Sequence, residues 1–235
     1  MTTGGSHAGL GAVLTRLAKP HTTVRVRRRT FRPAPGPTDM GYESRTVGEF
    51  LDGIASESVT PAGGSAAGVA GALGTALCEM VCVHTLARED HAAVTPEMAD
   101  VRVDLKRRRD QLLDLAATDA AVVAAAFGTG SGEPDEADFK RATGVPLTTA
   151  TACLDVLELA RAVVREGTAT AVVDAGTGVF LVHSALRASV FTARRNLQRV
   201  SEPAFVAEIE RRSAETERAA AAAREAVLET IETRV

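Results

Sequence analysis

Tryptophan is absent from the 235 residues, Tyr42 is the one tyrosine, and aromatic side chains make up only 3%. A protein that holds single strands by stacking needs flat rings on its surface, so that class is excluded. An excess of positive charge is also lacking. The formal net charge is −3 and the sequence pI about 6.0, which rules out a nucleic-acid footprint spread over the whole molecule. Three cysteines, an odd number, do not build a disulfide framework and suit a reducing cytosol. The Ala-, Val- and Gly-rich stretches are interrupted by Glu, Arg or Asp before reaching the ~20 apolar residues of a membrane span. No charged n-region followed by an apolar stretch opens the chain as a secretory signal would. What these absences leave is the expectation of a soluble, cytoplasmic, single-domain protein with length enough to bury a sizeable core.

Positive charge is concentrated at the front. Within residues 1–39, Arg16, Lys19, Arg25, Arg27, Arg28, Arg29 and Arg32 stand against Asp39 alone. Pro33-Ala34-Pro35-Gly36-Pro37 follows, a run that cannot hold a helix. Residues 1–39 therefore read as a disordered extension, and residues 40–235 as the folded domain. Two signs qualify that reading: residues 16–32 would suit an anionic partner such as nucleic acid, and Leu10, Val13, Leu14 and Leu17 would line one side of a short helix.

From Thr46 onward the pattern is helical almost throughout, and period-two alternation is scarce. Val47, Phe50, Leu51 and Ile54 fall on one face of a short helix. A turn over 58–65 precedes a long helix to about Asp90, with Ser65 placed to cap it. Thr95-Pro96-Glu97 opens a third helix to Phe127. A Gly-rich loop then leads to a helix from Asp135 to about Arg165, which Gly144 and Pro146 are expected to interrupt or kink. Helices over 171–199 and from Ser201-Glu202-Pro203 nearly to Val235 complete the set. The fold class is all-α: five to six long helices in an orthogonal or up-down bundle.

Gly68, Gly71 and Gly74 give the second helix one smooth face. Each costs roughly 1 kcal/mol relative to Ala, so something must approach closely: another helix backbone or a flat ligand. Wide faces of small residues also predict extensive subunit contact. Directly before that helix, Gly63 and Gly64 let the chain turn tightly, exposing amides that can hold an anion or a carbonyl oxygen. The stretch is neither a P-loop, lacking its Lys, nor a Rossmann fingerprint, lacking a preceding strand. His84, Arg88 and His91 share a helix face where the histidines could transfer protons near neutral pH, or simply be solvated. Cys78, Cys82 and Cys153 read as core thiols in preference to a soft-metal site. Lys106 to Arg109, among Asp104, Asp110 and Asp114, reads as a salt-bridged face; Arg194, Arg195 and Arg199 read as surface.

Thr60-Pro61-Ala62-Gly63-Gly64-Ser65-Ala66-Ala67, the Gly/Ala helix behind it, Val145-Pro146-Leu147, Asp174-Ala175-Gly176 and Asn196-Leu197 occur in one order and spacing. This ordered set, from about Val47 to Val235, resembles the cyclodeaminase/cyclohydrolase family. That family includes the C-terminal domain of formiminotransferase-cyclodeaminase and bacterial methenyltetrahydrofolate cyclohydrolases. The resemblance implies a homodimeric, metal-free enzyme whose substrate is a tetrahydrofolate derivative, reacting at the one-carbon unit between N5 and N10. Both family reactions pass through a tetrahedral carbon flanked by nitrogens, which calls for a fixed anion and proton shuttling. On that basis Asp174, in a helix's first turn, is expected to face the cationic carbon. His84 joins it as a proton-transfer group. Gly63, Gly64, Ser65 and Asn196 would orient the pterin or reacting unit, and Arg88 would hold the glutamate tail. Asp119 stands where the family carries an acid in its third helix, and a surface acid reads equally well there.

Four positions depart from the family pattern. Val173 replaces a Ser, Val83 and Thr192 each replace an Asn, and Ala62 replaces the first Gly of the loop. Several polar groups that would grip the substrate are thereby missing. The departures keep open an altered substrate, or a noncatalytic helical dimer of the same fold that binds a small molecule or a protein.

Overall fold

The computed structural model describes residues 41–88, 95–127 and 134–235; the basic arm, the Pro-rich run and His91 lie outside the described residues. One turn of 3-10 helix, Tyr42–Ser44, precedes six helices: α1 (Val47–Ile54), α2 (Gly63–Leu86), α3 (Thr95–Phe127), α4 (Glu136–Glu166), α5 (Val172–Leu197) and α6 (Pro203–Arg234). There is no strand among the described residues. The all-α expectation holds, and the helix boundaries fall close to those the periodicity indicates.

Helices α2, α3, α4 and α5 close into a ring in which each packs on two neighbours. Every neighbouring pair runs antiparallel. Gly64 lies against Asp119 and Gly68 against Ala116, which fixes α2 on α3. Arg108 pairs with Asp155 and Arg165 with Glu97 between α3 and α4. Asn196 reaches Ala142 between α5 and α4. This is an up-down-up-down bundle. Helix α6 lies across α4 and α5, where Arg234 donates to the carbonyls of Val164 and Gly167 and Arg194 pairs with Glu210 and Glu217. Tyr42 and Phe50, rings edge to face at 5.0 Å, cover Ala116 and Ala120 of α3.

The glycine face of α2 is explained by close helix approach, and by three different neighbours. A Cβ on Gly68 would lie 2.8 Å from the Ala116 methyl of α3, and one on Gly71 would lie 3.0 Å from Cys153 Sγ of α4. The closest approach is Gly74 to Gly178 of α5. A Cβ on either would sit 2.5 or 2.6 Å from the other's carbonyl oxygen, so the two backbones touch with nothing between them. Cavity-free contact of this kind offsets the low helix propensity of glycine.

Two local expectations change. Helix α4 runs unbroken through Gly144 and Pro146. Pro146 has no N–H to give Ala142, and the Asn196 side-chain amide donates to that carbonyl instead, at 2.6 Å. Helix α2 starts two residues before Ser65, with Ala62 at the N-cap and no side-chain cap of its own. Helix α6 is entered through Glu202 and Pro203, within the Ser201-Glu202-Pro203 stretch expected to start it, and the Ser201 hydroxyl donates to Glu136. In addition, α2 is long and apolar enough to span a membrane by length and composition, because Glu79 is its only charge. It is nonetheless the most enclosed helix of the ring: Glu79 is ion-paired to Arg109 at 2.6 Å, and 56% of the apolar window is buried.

Candidate active site

The antiparallel bundle sorts the expected site residues into two groups at opposite ends. Gly63, Gly64 and Ser65 start α2, and Asn196 ends α5 beside them in the ring order. His84 and Arg88 lie at the other end of α2, where Thr168 N–H donates to the Thr85 hydroxyl, and Asp174 opens α5 there. Ser65 and His84 are 19 residues apart on one helix, about 28 Å along its axis. Within one chain, therefore, Asp174 does not face the Gly63–Ser65 turn. It is exposed in the first turn of α5.

The carboxylate that does face that turn is Asp119 of α3. It is only 3% exposed, and its Oδ2 accepts the Ser65 hydroxyl at 3.2 Å. Ser65 is itself fully buried. Gly64 is glycine for a visible reason: a Cβ there would stand 2.2 Å from Asp119 Oδ1. Burial pushes the Asp119 carboxyl above its ordinary value, while the Ser65 hydroxyl and backbone N–H pull the other way. Gly63, by contrast, is exposed, with open space where a side chain would stand. The result is a buried acceptor of protons beneath the positive end of a 24-residue helix, beside an open stretch of backbone. Such an arrangement can take a proton from an attacking nucleophile and face a positively charged centre.

The other expected residues take up varied positions. Asn196 directs its amide to Ala142, so the group it offers in this chain supports α4 beneath the turn. Arg88, with Thr168, Ala169, Thr170 and Arg234, lines a cavity of about 370 Å³ at the far end. His84 is exposed. Cys78, Cys82 and Cys153 are all buried, and desolvation pushes each thiol up to about 12, as expected of core thiols. Lys106, Arg107 and Arg108 pair with Asp110, Asp104 and Asp155 as a salt-bridged face should. Arg109 differs, reaching across to the buried Glu79. Among the departures, Val83 and Val173 are exposed, and the Thr192 hydroxyl donates back to Ala188 of its own helix.

Asp119 carried a signal that sequence reasoning weighed too lightly. Leu105, Leu112, Ala116 and Ala120 mark the buried stripe of α3, and Asp119 sits on that stripe, not on the charged face. An acid on the apolar side of an otherwise amphipathic helix needs a partner or a task.

Comparison with known proteins identifies the family and the fold. Residues 46–215 match the family model described as formiminotransferase-cyclodeaminase. The chain is 31% identical over 178 residues to methenyltetrahydrofolate cyclohydrolase of Methylorubrum extorquens, covering 70% of this chain and 85% of that protein. It is also similar to the crystal structure of a formiminotetrahydrofolate cyclodeaminase from Thermotoga maritima. There the TM-score is 0.76 at 25% identity, over 81% of this chain and 98% of that one.

Proposed function

The chain belongs to the formiminotransferase-cyclodeaminase family, and from that premise we propose that it is a folate-dependent one-carbon enzyme, a 5,10-methenyltetrahydrofolate cyclohydrolase with Asp119 as its base. The observation that carries the reading is the buried Asp119 carboxylate against Ser65 and the glycine start of α2. Water adds to the cationic carbon bridging N5 and N10, and its proton passes to Asp119. The tetrahedral centre collapses as one carbon–nitrogen bond breaks, the freed nitrogen takes a proton, and a formyl group remains on the other nitrogen. Asp119 in its charged form also stabilises the bridge cation before attack. Ser65, by donating to Oδ2, leaves Oδ1 directed toward the Gly64 backbone. No step of this scheme calls on a metal.

Of the two family activities, the cyclohydrolase is favoured by the 31% identical relative. The cyclodeaminase is the second reading, supported by the structural likeness; in it the same carboxylate would manage protons as ammonia leaves. A homodimer belongs to the proposal. Its support is the exposed apolar face on adjacent sides of α2 and α5, with Leu73 58%, Phe180 52% and Phe191 67% exposed. A cytoplasmic location is part of it as well, supported by three free, buried thiols.

The test is direct. The purified chain is incubated with 5,10-methenyltetrahydrofolate while loss of the methenyl absorbance is followed, and with formimidoyltetrahydrofolate while ammonia is measured. Turnover of the first supports the cyclohydrolase, and turnover of the second alone supports the cyclodeaminase. Failure to turn over or bind any reduced folate would leave a helical binding module and refute the proposal.

A further inference from the structure

Helices α3 and α4 run past the start of α2 at the Asp119 end. Gly64, the second residue of α2, lies against Asp119, and α3 continues for eight residues beyond Asp119 to Phe127, about 12 Å. Phe127 follows Ala116 by 11 residues, three helical turns to within about 20°, and Ala116 packs on Gly68 of α2. Phe127 therefore projects on the α2 side of α3, about two turns above the point where α2 begins. Its ring meets that of Phe139, on the first turn of α4, edge to face with centroids 5.7 Å apart. Phe127 is 41% exposed, and at the foot of the overhang Gly63 has open space where a side chain would stand.

A cation completes this ledge. The Arg199 N–H donates to the Asn196 carbonyl at 3.0 Å at the end of α5, and its guanidinium stands 5.7 Å from the centre of the Phe139 ring. Arg199 has no carboxylate partner among the described residues. Lys140, beside Phe139 in sequence, is by contrast ion-paired to both Glu136 and Glu202. An exposed aromatic pair that carries an unpaired guanidinium suits an aryl group ending in carboxylates. On the folate reading the substrate has such an arm. From its bridging carbon through the aryl ring and amide to the glutamate carboxylates is roughly 10–12 Å, which matches the rise from Asp119 to Phe127. Arg88, to which the resemblance gave the glutamate, lies 23 residues along α2 from Ser65, about 34 Å away. Within one chain it is out of reach of a molecule whose one-carbon unit sits at Asp119.

We propose that Phe127, Phe139 and Arg199 form the subsite for the aryl-glutamate arm of the substrate, on the same chain as the Asp119 carboxylate that acts on its one-carbon bridge. The inference rests on the folate reading above and gives the arm its residues. The Phe127 and Phe139 rings pack against the aryl ring, and the Arg199 guanidinium, already seated over Phe139, donates to the glutamate carboxylates. None of the three touches the reacting carbon. Their contacts are made equally in the ground state and the transition state, so they set KM and leave kcat to Asp119 and its surroundings.

Paired substrates test the assignment. The full chain is assayed with 5,10-methenyltetrahydrofolate and with 5,10-methenyltetrahydropteroate, which has the same bridge and aryl ring but no glutamate. Wild type is expected to show a KM about 10- to 100-fold lower for the glutamyl substrate at similar kcat, the worth of a hydrogen bond to a charged group. Arg199→Ala should lose that preference by raising KM for the glutamyl substrate alone, and Arg199→Lys, which keeps the charge, should restore part of it. Phe127→Ala should raise KM for both substrates by a similar factor, since both carry the aryl ring. Circular dichroism confirms that each variant keeps its helix content. An Arg199→Ala variant with the wild-type preference intact, a wild type with no preference, or a Phe127→Ala variant with both KM values unchanged would overturn the subsite. Any of these with wild-type turnover present would refute the inference alone. Failure of the wild-type chain to turn over or bind either compound would refute the folate reading itself and take the inference with it.

Discussion

Replacing Asp119 by asparagine separates a carboxylate kept for chemistry from one kept for structure. Burial holds the folded-state pKa of Asp119 above its unfolded value, so folding favours the protonated form. The ionised side chain therefore costs stability at every pH above the folded pKa, and that cost disappears as pH falls below the unfolded value. Asparagine carries no charge at any pH, and its carbonyl can still accept the Ser65 hydroxyl that now donates to Oδ2. At pH 7 the variant is expected to melt at or above the wild-type temperature. Turnover of methenyltetrahydrofolate should nevertheless drop about 10²- to 10⁴-fold, the usual contribution of a positioned base. The wild-type kcat/KM should also fall on acidification through a pKa above the ordinary carboxylate range, and this acid limb should vanish in the variant. Were Asp119 a charged cap for α2, its loss would cost about 1 kcal/mol, a fall of about 2–4 °C in a chain of this size. Thermal scans and stopped-flow absorbance across pH decide the matter. A lower melting temperature with activity lost only in proportion, or full activity at neutral pH, would refute the reasoning.

Other perturbations give independent checks. Gly74→Ala forces a methyl to within 2.5 Å of the Gly178 carbonyl and should lower stability by about 1–3 kcal/mol in urea melts. Gly63→Ala meets open space and should leave stability unchanged or raised by up to about 1 kcal/mol. Asn196→Ala strands the Ala142 carbonyl at a cost of about 1–3 kcal/mol; in a Pro146→Ala background, where residue 146 regains an N–H, the same change should cost measurably less. Arg109→Met leaves the buried Glu79 unpaired and should destabilise by about 3 kcal/mol, with Glu79→Gln in the same chain recovering most of it. The three cysteines should resist a thiol reagent in the native state and react together on unfolding, since none is exposed and burial raises each thiol to about 12.

The fold was legible because helical periodicity is local. Apolar spacing in Val47–Ile54 and the Pro, Gly and acid punctuation at 95–97, 134–136 and 203 place the ends of helices without reference to neighbours. The unbroken α4 was not legible, because the donor that replaces the missing Pro146 N–H comes from Asn196, 50 residues later. The site was read in part. Gly63 to Ser65 stand at the helix start that the glycine pattern indicates, yet the anion facing them is Asp119 of the next helix, not Asp174. Membership of a motif does not reveal which end of an antiparallel bundle a residue occupies. That depends on how many turns separate it from the loop, and 19 residues of α2 put His84 and its neighbours at the far end. The glycine at 64 held the missing information in a form only coordinates expose, since its lack of a side chain is the space that Asp119 fills.

The most direct measurement is a crystal structure of the Asp119→Asn variant with 5,10-methenyltetrahydrofolate bound. The substrate's bridging carbon should lie within one water molecule's reach of residue 119, above the amides of Gly63 and Gly64. Folate seated elsewhere on the bundle, with position 119 still sealed beneath Ser65 and remote from the reacting carbon, would contradict the account.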